Sequence, residues 1–225
     1  MSSILVLNPN SSRAMTEAML PGLAPLQRAG GPAFTAACIA EAPEGINSDA
    51  EVAFVSPLVA DHVAKASARA VIVSCFSDPG LKMARAARPD LPVLGIGESA
   101  YHAALALGQR FGVVSLAAPS VARHAVYIEA LGLTGRLAGD RAIGMDAVTA
   151  SDPHKAEAAV IATARQLVEE DGADVLILGC AGMGQMRGAV QAALGVPVVD
   201  PVQAAAAQAL TMLDLGYRDF SGRTK

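Results

Sequence analysis

Two cysteines carry the strongest chemical signal in the sequence, because each follows an apolar run that is typical of a buried strand. Cys75 ends VIVSC and Cys180 ends VLILGC, and a glycine-containing turn follows each of them. A single cysteine in such a place would be interpreted as a small buried side chain. Two cysteines at equivalent places indicate thiols that take part in acid/base catalysis, since a thiol is an acid and its thiolate is a base.

The two cysteines belong to an internal repeat. The segment ARAVIVSC aligns without a gap with ADVLILGC, and a helix-like stretch precedes each segment. The same separation of 105 positions that divides Cys75 from Cys180 also divides Pro92 from Pro197. A shared offset predicts two related halves, with their cysteines facing one another across a cleft.

Two thiols on opposite faces of one bound carbon could move a proton from one face to the other. One thiolate would remove the α-proton, and the opposite thiol would return a proton to the other side, which produces the mirror-image centre. Turns that lead from strands into helices leave backbone N–H groups free, and such groups can hold an oxyanion. We also expect these amides to lower the pKa of each thiol.

Short apolar runs alternate with alanine-rich stretches of helical spacing along the chain. Continuously apolar runs are typical of parallel strands covered on both faces, and ligands bind beyond the carboxyl ends of such strands. The predicted fold is therefore α/β, with two pseudo-symmetric parallel-sheet domains, flavodoxin-like in each half, and the active site in the cleft between them. The predicted strands are Ile4–Leu7, Ala33–Ile39, Ala70–Ser74, Val93–Ile96, Gly112–Leu116, Ile143–Met145, Val175–Gly179 and Val196–Val199. The predicted helices include Ala50–Ala68, Glu98–Arg110 and His154–Asp171.

Composition narrows the classes of function. The chain has 225 residues, 52% of them hydrophobic, and a formal net charge of −4. An acidic balance without a Lys/Arg run argues against nucleic acid as a partner, and the apolar segments are too short to cross a membrane. The first residues, MSSILVLNPNSS, have no basic region followed by a long apolar stretch, which argues against a secretion signal, and three widely spaced cysteines are typical of reduced thiols. We therefore expect a cytoplasmic protein with a small-molecule substrate and with no nucleic-acid or membrane partner.

Three segments resemble the hydantoin racemase branch of the aspartate/glutamate racemase superfamily. These segments, LVLNPNSS, SCFSDPGL and LGCAGM, occur in the family's order, and the resemblance runs from Ile4 to about Leu213. The resemblance implies an Asp/Glu racemase-like pair of domains, a homo-oligomer, and catalysis with no cofactor, neither pyridoxal phosphate nor metal. It assigns the acid/base roles to Cys75 and Cys180 and a substrate contact to Asn10. We place the first domain at residues 1–97 plus 203–225 and the second at 98–202.

The turns after the cysteines depart from the family pattern at two places. Ser77 stands where this branch usually has glycine, and Ala181 followed by Gly182 stands where two glycines are usual. Both changes are small, so the backbone amides of Phe76, Ser77, Ala181 and Gly182 remain candidates to stabilise an enolate. Because these positions would touch the substrate, the departures leave its identity open.

Other polar features have ordinary structural interpretations. Asn10 could belong to a turn that caps a helix at Ser11 or Ser12. Ser115 ends the strand FGVVSL and could donate a hydrogen bond to the substrate, although a strand-end serine needs no such role. GIGESA fits a relaxed dinucleotide pattern, but the next strand lacks the terminal acid that binds ribose. The histidines have no ligand spacing, so we expect no metal.

The predicted activity is cofactor-independent racemisation of a cyclic ureide, either a 5-substituted hydantoin or allantoin. Racemisation of an acyclic amino acid, aspartate or glutamate, stays open, as does an activity of the maleate isomerase or arylmalonate decarboxylase type. Decarboxylation needs one protonating thiol, so the pair of cysteines counts against it. A non-catalytic small-molecule sensor is the alternative of a different class, and it would have no reason to place cysteine at both strand ends.

Overall fold

The computed structural model describes residues 3–217, and within them the strands form two parallel sheets of four strands each. The strand orders are β2-β1-β3-β4 and β6-β5-β7-β8. The strands are β1 (Ser3–Asn8), β2 (Ala33–Cys38), β3 (Ala70–Val73), β4 (Val93–Gly95), β5 (Phe111–Ser115), β6 (Leu137–Ala142), β7 (Val175–Leu178) and β8 (Val198–Val199). This arrangement confirms the predicted α/β fold class.

Helices follow most strands and cover the sheets. The α-helices are α1 (Arg13–Met19), α2 (Asp49–Ala64), α3 (Leu81–Ala87), α4 (Ile96–Leu107), α5 (Ala118–Ala130), α6 (Ala147–Ala150), α7 (Pro153–Glu169), α8 (Arg187–Leu194) and α9 (Pro201–Asp214). Short 3₁₀ helices occupy Pro21–Leu26, Thr134–Arg136 and Ala181–Met186. No helix within residues 3–217 has the length and hydropathy that a membrane crossing requires.

The repeat in the sequence corresponds to equivalent strands. β1 pairs in parallel with β2 and β3, and β5 pairs in the same way with β6 and β7. β3 and β7 therefore hold the same place in their sheets. Cys75 and Cys180 each lie two positions beyond the end of these strands, so both thiols emerge at carboxyl-terminal strand ends.

Burial on both faces explains why β3 has no polar residue. Ile72 belongs to one buried cluster with Ala206 of α9, whereas Val71 and Val73 belong to another with Val59 of α2. Full burial of an aliphatic side chain of this size contributes about 1.5–3 kcal/mol. These contacts fix the strand that delivers Cys75 to its position.

One predicted strand is wrong. The strand lies at Leu137–Ala142, and Ile143–Met145 follows it in a turn in which Gly144 has a φ of +75°. β6 is an edge strand that pairs only with β5 among the described strands, and its residues are partly exposed. An edge strand can therefore carry polar residues such as Asp140 and Arg141. Because these interrupt the apolar run, the sequence pattern does not indicate a strand there.

The predicted domain boundaries stay a prediction. Helix α9 packs in one buried cluster with β1 and β3. It begins at Pro201, two residues before the stretch 203–225 that we assign to the first domain. Residues 218–225 lie outside the described part of the chain.

Candidate active site

A cavity at the carboxyl ends of both sheets contains both cysteines. Its empty space is about 530 Å³ when the open mouth is included. The loops after β1, β3 and β7 contribute most of the predicted site residues. Those that line the cavity are Asn10, Cys75, Phe76, Ser77, Cys180, Ala181 and Gly182.

The loop that carries Cys75 is held in place by Asp78. Asp78 has a φ of +46°, in the left-handed region. Its carboxylate accepts hydrogen bonds from the backbone N–H of Gly97 at 3.0 Å and Glu98 at 2.8 Å, and from the Tyr127 hydroxyl at 2.9 Å. Burial raises the pKa of Asp78 to about 7, and these hydrogen bonds oppose the rise. Because Tyr127 lies on α5, which packs against the second sheet, Asp78 ties the Cys75 loop to the other half of the molecule.

The loop after β7 brings the Cys180 side chain and the backbone of a tight turn to the cavity. Cys180 precedes the 3₁₀ helix Ala181–Met186. A Cβ on Gly182 would lie 2.6 Å from the Cβ of Ser151, so glycine is what allows the loop to pack this closely. The backbone N–H of Phe76 donates to no backbone oxygen within residues 3–217, and the backbone N–H groups of Ser77 and Gly182 donate to the sulfurs of Cys75 and Cys180. Both turns therefore offer amides that could stabilise an oxyanion.

Burial controls the pKa of both thiols. It raises the pKa of Cys75 from an ordinary value of 9.0 to about 12, and it also raises the pKa of Cys180. Backbone hydrogen bonds from Ser77 and Gly182, and the charge of Arg123, act in the opposite direction. The turn amides lower the pKa of each thiol as predicted, but desolvation of the thiolate outweighs them, so the net pKa of both thiols is raised. Both cysteines are therefore thiols in the unliganded protein at neutral pH.

The raised pKa of Cys75 can be tested in a variant that keeps Cys75 as its one cysteine, made by Cys38→Ser together with Cys180→Ser. Alkylation needs the thiolate, so the rate with iodoacetamide should rise about tenfold per pH unit from pH 6 to 9. The same variant unfolded in urea should level off near the pH of an ordinary thiol. If the folded variant instead reaches a plateau below pH 8, the amides and Arg123 outweigh burial.

Asn10 presents an amide to the cavity in a fixed orientation. Its Oδ1 accepts hydrogen bonds from Nδ2 of Asn8 at 2.7 Å and from the backbone N–H of Ser12 at 2.9 Å. Its Nδ2 contacts only the sulfur of Met15, at 3.7 Å, among the described residues. A sulfur is a weak acceptor, so Nδ2 is available to a carbonyl oxygen of a ligand.

The structure does not bring Ser115 to the cavity. Ser115 is fully buried, and its hydroxyl donates to Oδ1 of Asp140 and lies 3.0 Å from Nδ1 of His124. His124 lines the cavity instead, with Nδ1 at 2.9 Å from Oδ2 of Asp140 and its ring packed edge-on against Phe76. Ser115 thus contacts a residue of the cavity wall rather than the cavity itself.

Arg123 and His124 are cavity residues that reasoning from strand ends missed. Both lie within α5, and they reach the cavity from the side of a helix. No local motif marks them, because the helix surrounds them with ordinary alanine and valine. Only the packing of α5 over the mouth reveals their place.

Comparisons with known proteins agree along almost the whole chain. The family model described as Asp/Glu/Hydantoin racemase matches residues 4–209. The hydantoin racemase of Paenarthrobacter aurescens is 33% identical over 221 residues, which cover 96% of this chain and 92% of that protein. The solved allantoin racemase of Klebsiella pneumoniae has a TM-score of 0.87 and 26% identity, covering 96% of this chain and 89% of its own. The solved allantoin racemase of Pseudomonas fluorescens has a TM-score of 0.86 and 28% identity, covering 98% of this chain and 94% of its own.

Proposed function

The chain belongs to the Asp/Glu/hydantoin racemase family, and from this premise we propose that it racemises a cyclic ureide, a 5-substituted hydantoin or allantoin. Membership confirms the family resemblance that the sequence motifs predicted. We further propose that Cys75 and Cys180 are its two acid/base groups and that the reaction needs no cofactor. The observation that carries the proposal is the position of the two thiols after equivalent strands, on the wall of one cavity.

The proposed reaction begins when one cysteine has given its proton to solvent and become a thiolate, which the raised pKa makes the minor form at neutral pH. It removes the hydrogen from the stereocentre, and the electron pair of that C–H bond moves onto the adjacent carbonyl, which forms an enolate. Backbone N–H groups of the two turns would stabilise the enolate oxygen, and a single donor of this kind contributes about 3–4 kcal/mol in known cases. The opposite thiol then donates its proton to the other face, so the two cysteines end with exchanged protonation states.

The charge of the cavity wall favours a neutral ring over an amino acid. An α-amino acid carries an ammonium group, and a buried ammonium requires a carboxylate or several acceptors. Within residues 3–217, neither Asp nor Glu lines the cavity. The substrates of a maleate isomerase or an arylmalonate decarboxylase carry two carboxylates, whereas Arg123 is the single Lys or Arg that lines the cavity in the described part of the chain.

A panel of single enantiomers tests the proposed function. The purified protein is incubated with allantoin, 5-benzylhydantoin, 5-methylhydantoin, aspartate and glutamate, each with and without a chelator, and optical rotation is followed. We expect at least one cyclic ureide to lose its rotation at the same rate with chelator present. If only aspartate or glutamate loses its rotation, the proposed substrate class is wrong and the substrate is an acyclic amino acid. A rate restored only by added metal would overturn the proposed independence from cofactors.

The non-catalytic sensor is separated by the same assay. A sensor would bind a ureide without changing its optical rotation. It would have no turnover for alkylation of the thiols to stop. We expect alkylation to stop turnover and bound substrate to slow the alkylation, because the thiols would flank the ring. The predicted cytoplasmic location and homo-oligomer stay predictions.

A further inference from the structure

Arg123 stands at the mouth of the cavity. It lines the cavity together with Ser77 and His124, and the same three residues line an open groove outside it. Its side chain is 15% exposed. A partly buried guanidinium at an opening carries a permanent positive charge to the place where a ligand enters or extends outward.

The partners of this guanidinium leave much of its binding capacity unused. Nη1 lies 2.9 Å from Oδ1 of Asp49, Nη2 donates to the Ser120 hydroxyl at 3.2 Å, and Nε donates to the Ser77 hydroxyl at 3.4 Å. The Asp49 side chain is 80% exposed, so this ion pair is weak and exchangeable. An arginine has five N–H donors, and here two of its partners are neutral hydroxyls at long distances.

The proposed reaction fixes where a substituent of the ring can go. The stereocentre must lie between the two sulfurs, and the enolate oxygen must lie near the turn amides. The group on the stereocentre can then extend toward the mouth, where it passes Arg123, or toward the apolar inner wall formed by side chains such as Met19 and Leu116. A hydrocarbon group suits the inner wall, and an oxygen-terminated group suits the mouth.

We propose that Arg123 selects substrates whose 5-substituent ends in a carbonyl or carboxylate oxygen, such as the ureido group of allantoin or a carboxyalkyl group. This inference rests on the proposed function and adds the substrate class to it. The oxygen replaces Asp49 on the guanidinium and accepts charge-assisted hydrogen bonds, which are stronger than bonds between neutral groups. The substrate group thereby pairs with the Arg123 guanidinium, whose one charged partner in the unliganded protein, among the described residues, is the exposed carboxylate of Asp49.

The test measures kcat/KM for the racemisation of three ureides in each variant: allantoin, 5-(2-carboxyethyl)hydantoin and 5-isobutylhydantoin. The variants are Arg123→Met, Arg123→Lys and, as a control for loss of a surface charge, Arg28→Met. Arg28 pairs with Asp214 at the surface and does not line the cavity. We expect the wild type to have a higher kcat/KM for the two oxygen-terminated substrates than for the isobutyl compound.

In Arg123→Met, that preference should fall by about tenfold to a hundredfold, mainly through KM, which is the range for hydrogen bonds to a charged group. Arg123→Lys keeps the charge without the planar fork, so it should retain more of the preference for the carboxylate than for the ureido group. Arg28→Met should leave both preferences at the wild-type value. The comparison of 5-(2-carboxyethyl)hydantoin with allantoin thus shows whether Arg123 binds a carboxylate or a ureido group more tightly.

The ratio between substrates also removes a side effect of the substitution. Arg123 lowers the pKa of Cys75, so its loss should slow every substrate through the thiol. That slowing is common to all three ureides and cancels in the ratio. A uniform loss without a change in the ratio would overturn the inference and leave Arg123 as an electrostatic partner of Cys75.

Failure of the inference and failure of the proposed function give different results. If the wild type prefers 5-isobutylhydantoin, and Arg123→Met keeps that preference, the protein is a ureide racemase and the inference is wrong. If the wild type inverts none of the ureides, the proposed function is wrong and the inference falls with it.

Discussion

Replacing either Cys75 or Cys180 with serine should abolish inversion, while each variant keeps the ability to exchange the α-hydrogen of one enantiomer. A serine hydroxyl is a far weaker acid than a thiol, so one face of the substrate loses its proton donor and its base. General acid–base groups contribute about 100- to 10,000-fold each, and a loss of about a thousandfold or more is expected. Chiral chromatography measures inversion, and NMR in deuterated water measures exchange.

The two variants should not behave alike. With one thiol left, the surviving base abstracts and returns a proton on its own side, so the variants should exchange opposite enantiomers. Cys38→Ser is the matched control, because Cys38 ends β2 and does not line the cavity; its inversion rate should stay near that of the wild type. Exchange of the same enantiomer by both site variants would contradict the assignment of opposite faces, as would loss of inversion in Cys38→Ser.

Gly80→Ala should destabilise the loop that carries Cys75. Gly80 has a φ of +68°, and a Cβ there would lie less than 3.0 Å from the backbone carbonyl oxygen of Ser56. Because the obstacle is backbone of α2, no side-chain rotation relieves it, and the loop must move. We expect the free energy of unfolding to fall by about 2–4 kcal/mol in urea titrations, with a loss of kcat in the protein that remains folded.

Gly132→Ala separates the clash from the cost of the left-handed backbone. Gly132 has a φ of +72°, but nothing lies within 4 Å of the position of its Cβ. An alanine there meets only the conformational cost, about 1–2 kcal/mol, and activity should be unchanged. Equal losses of stability in the two variants would show that the contact with Ser56 does not constrain the loop.

Much of the fold could be predicted because its central strands are covered on both faces. The apolar runs of β3 and β7 marked them as parallel strands, and carboxyl ends of parallel strands lie where ligands bind. That pattern predicts that Cys75 and Cys180 lie close together, and both line one cavity. It failed for β6, since an edge strand tolerates Asp140 and Arg141.

The rest of the cavity depends on packing that no short motif records. Arg123 comes from the middle of α5, and only the way that this helix lies over the mouth brings its guanidinium to the cavity. Ser115 illustrates the opposite error, because it lies at a strand end as predicted but its hydroxyl is bonded to Asp140. The turn amides lower the pKa of Cys75 as predicted, but its net pKa is raised, since a sequence reveals the amides and not how far packing removes water from the sulfur.

The most direct test of the two-thiol account follows wild-type protein acting on one pure enantiomer of a ureide that it racemises, in deuterated water. NMR and chiral chromatography then measure deuterium at the stereocentre in product and in unreacted substrate at early times. Two thiols on opposite faces predict product that carries deuterium, because the donating thiol has exchanged with solvent, while the unreacted substrate keeps its hydrogen. Product that retains the original hydrogen would show that one group carries the proton between faces, and it would contradict the account.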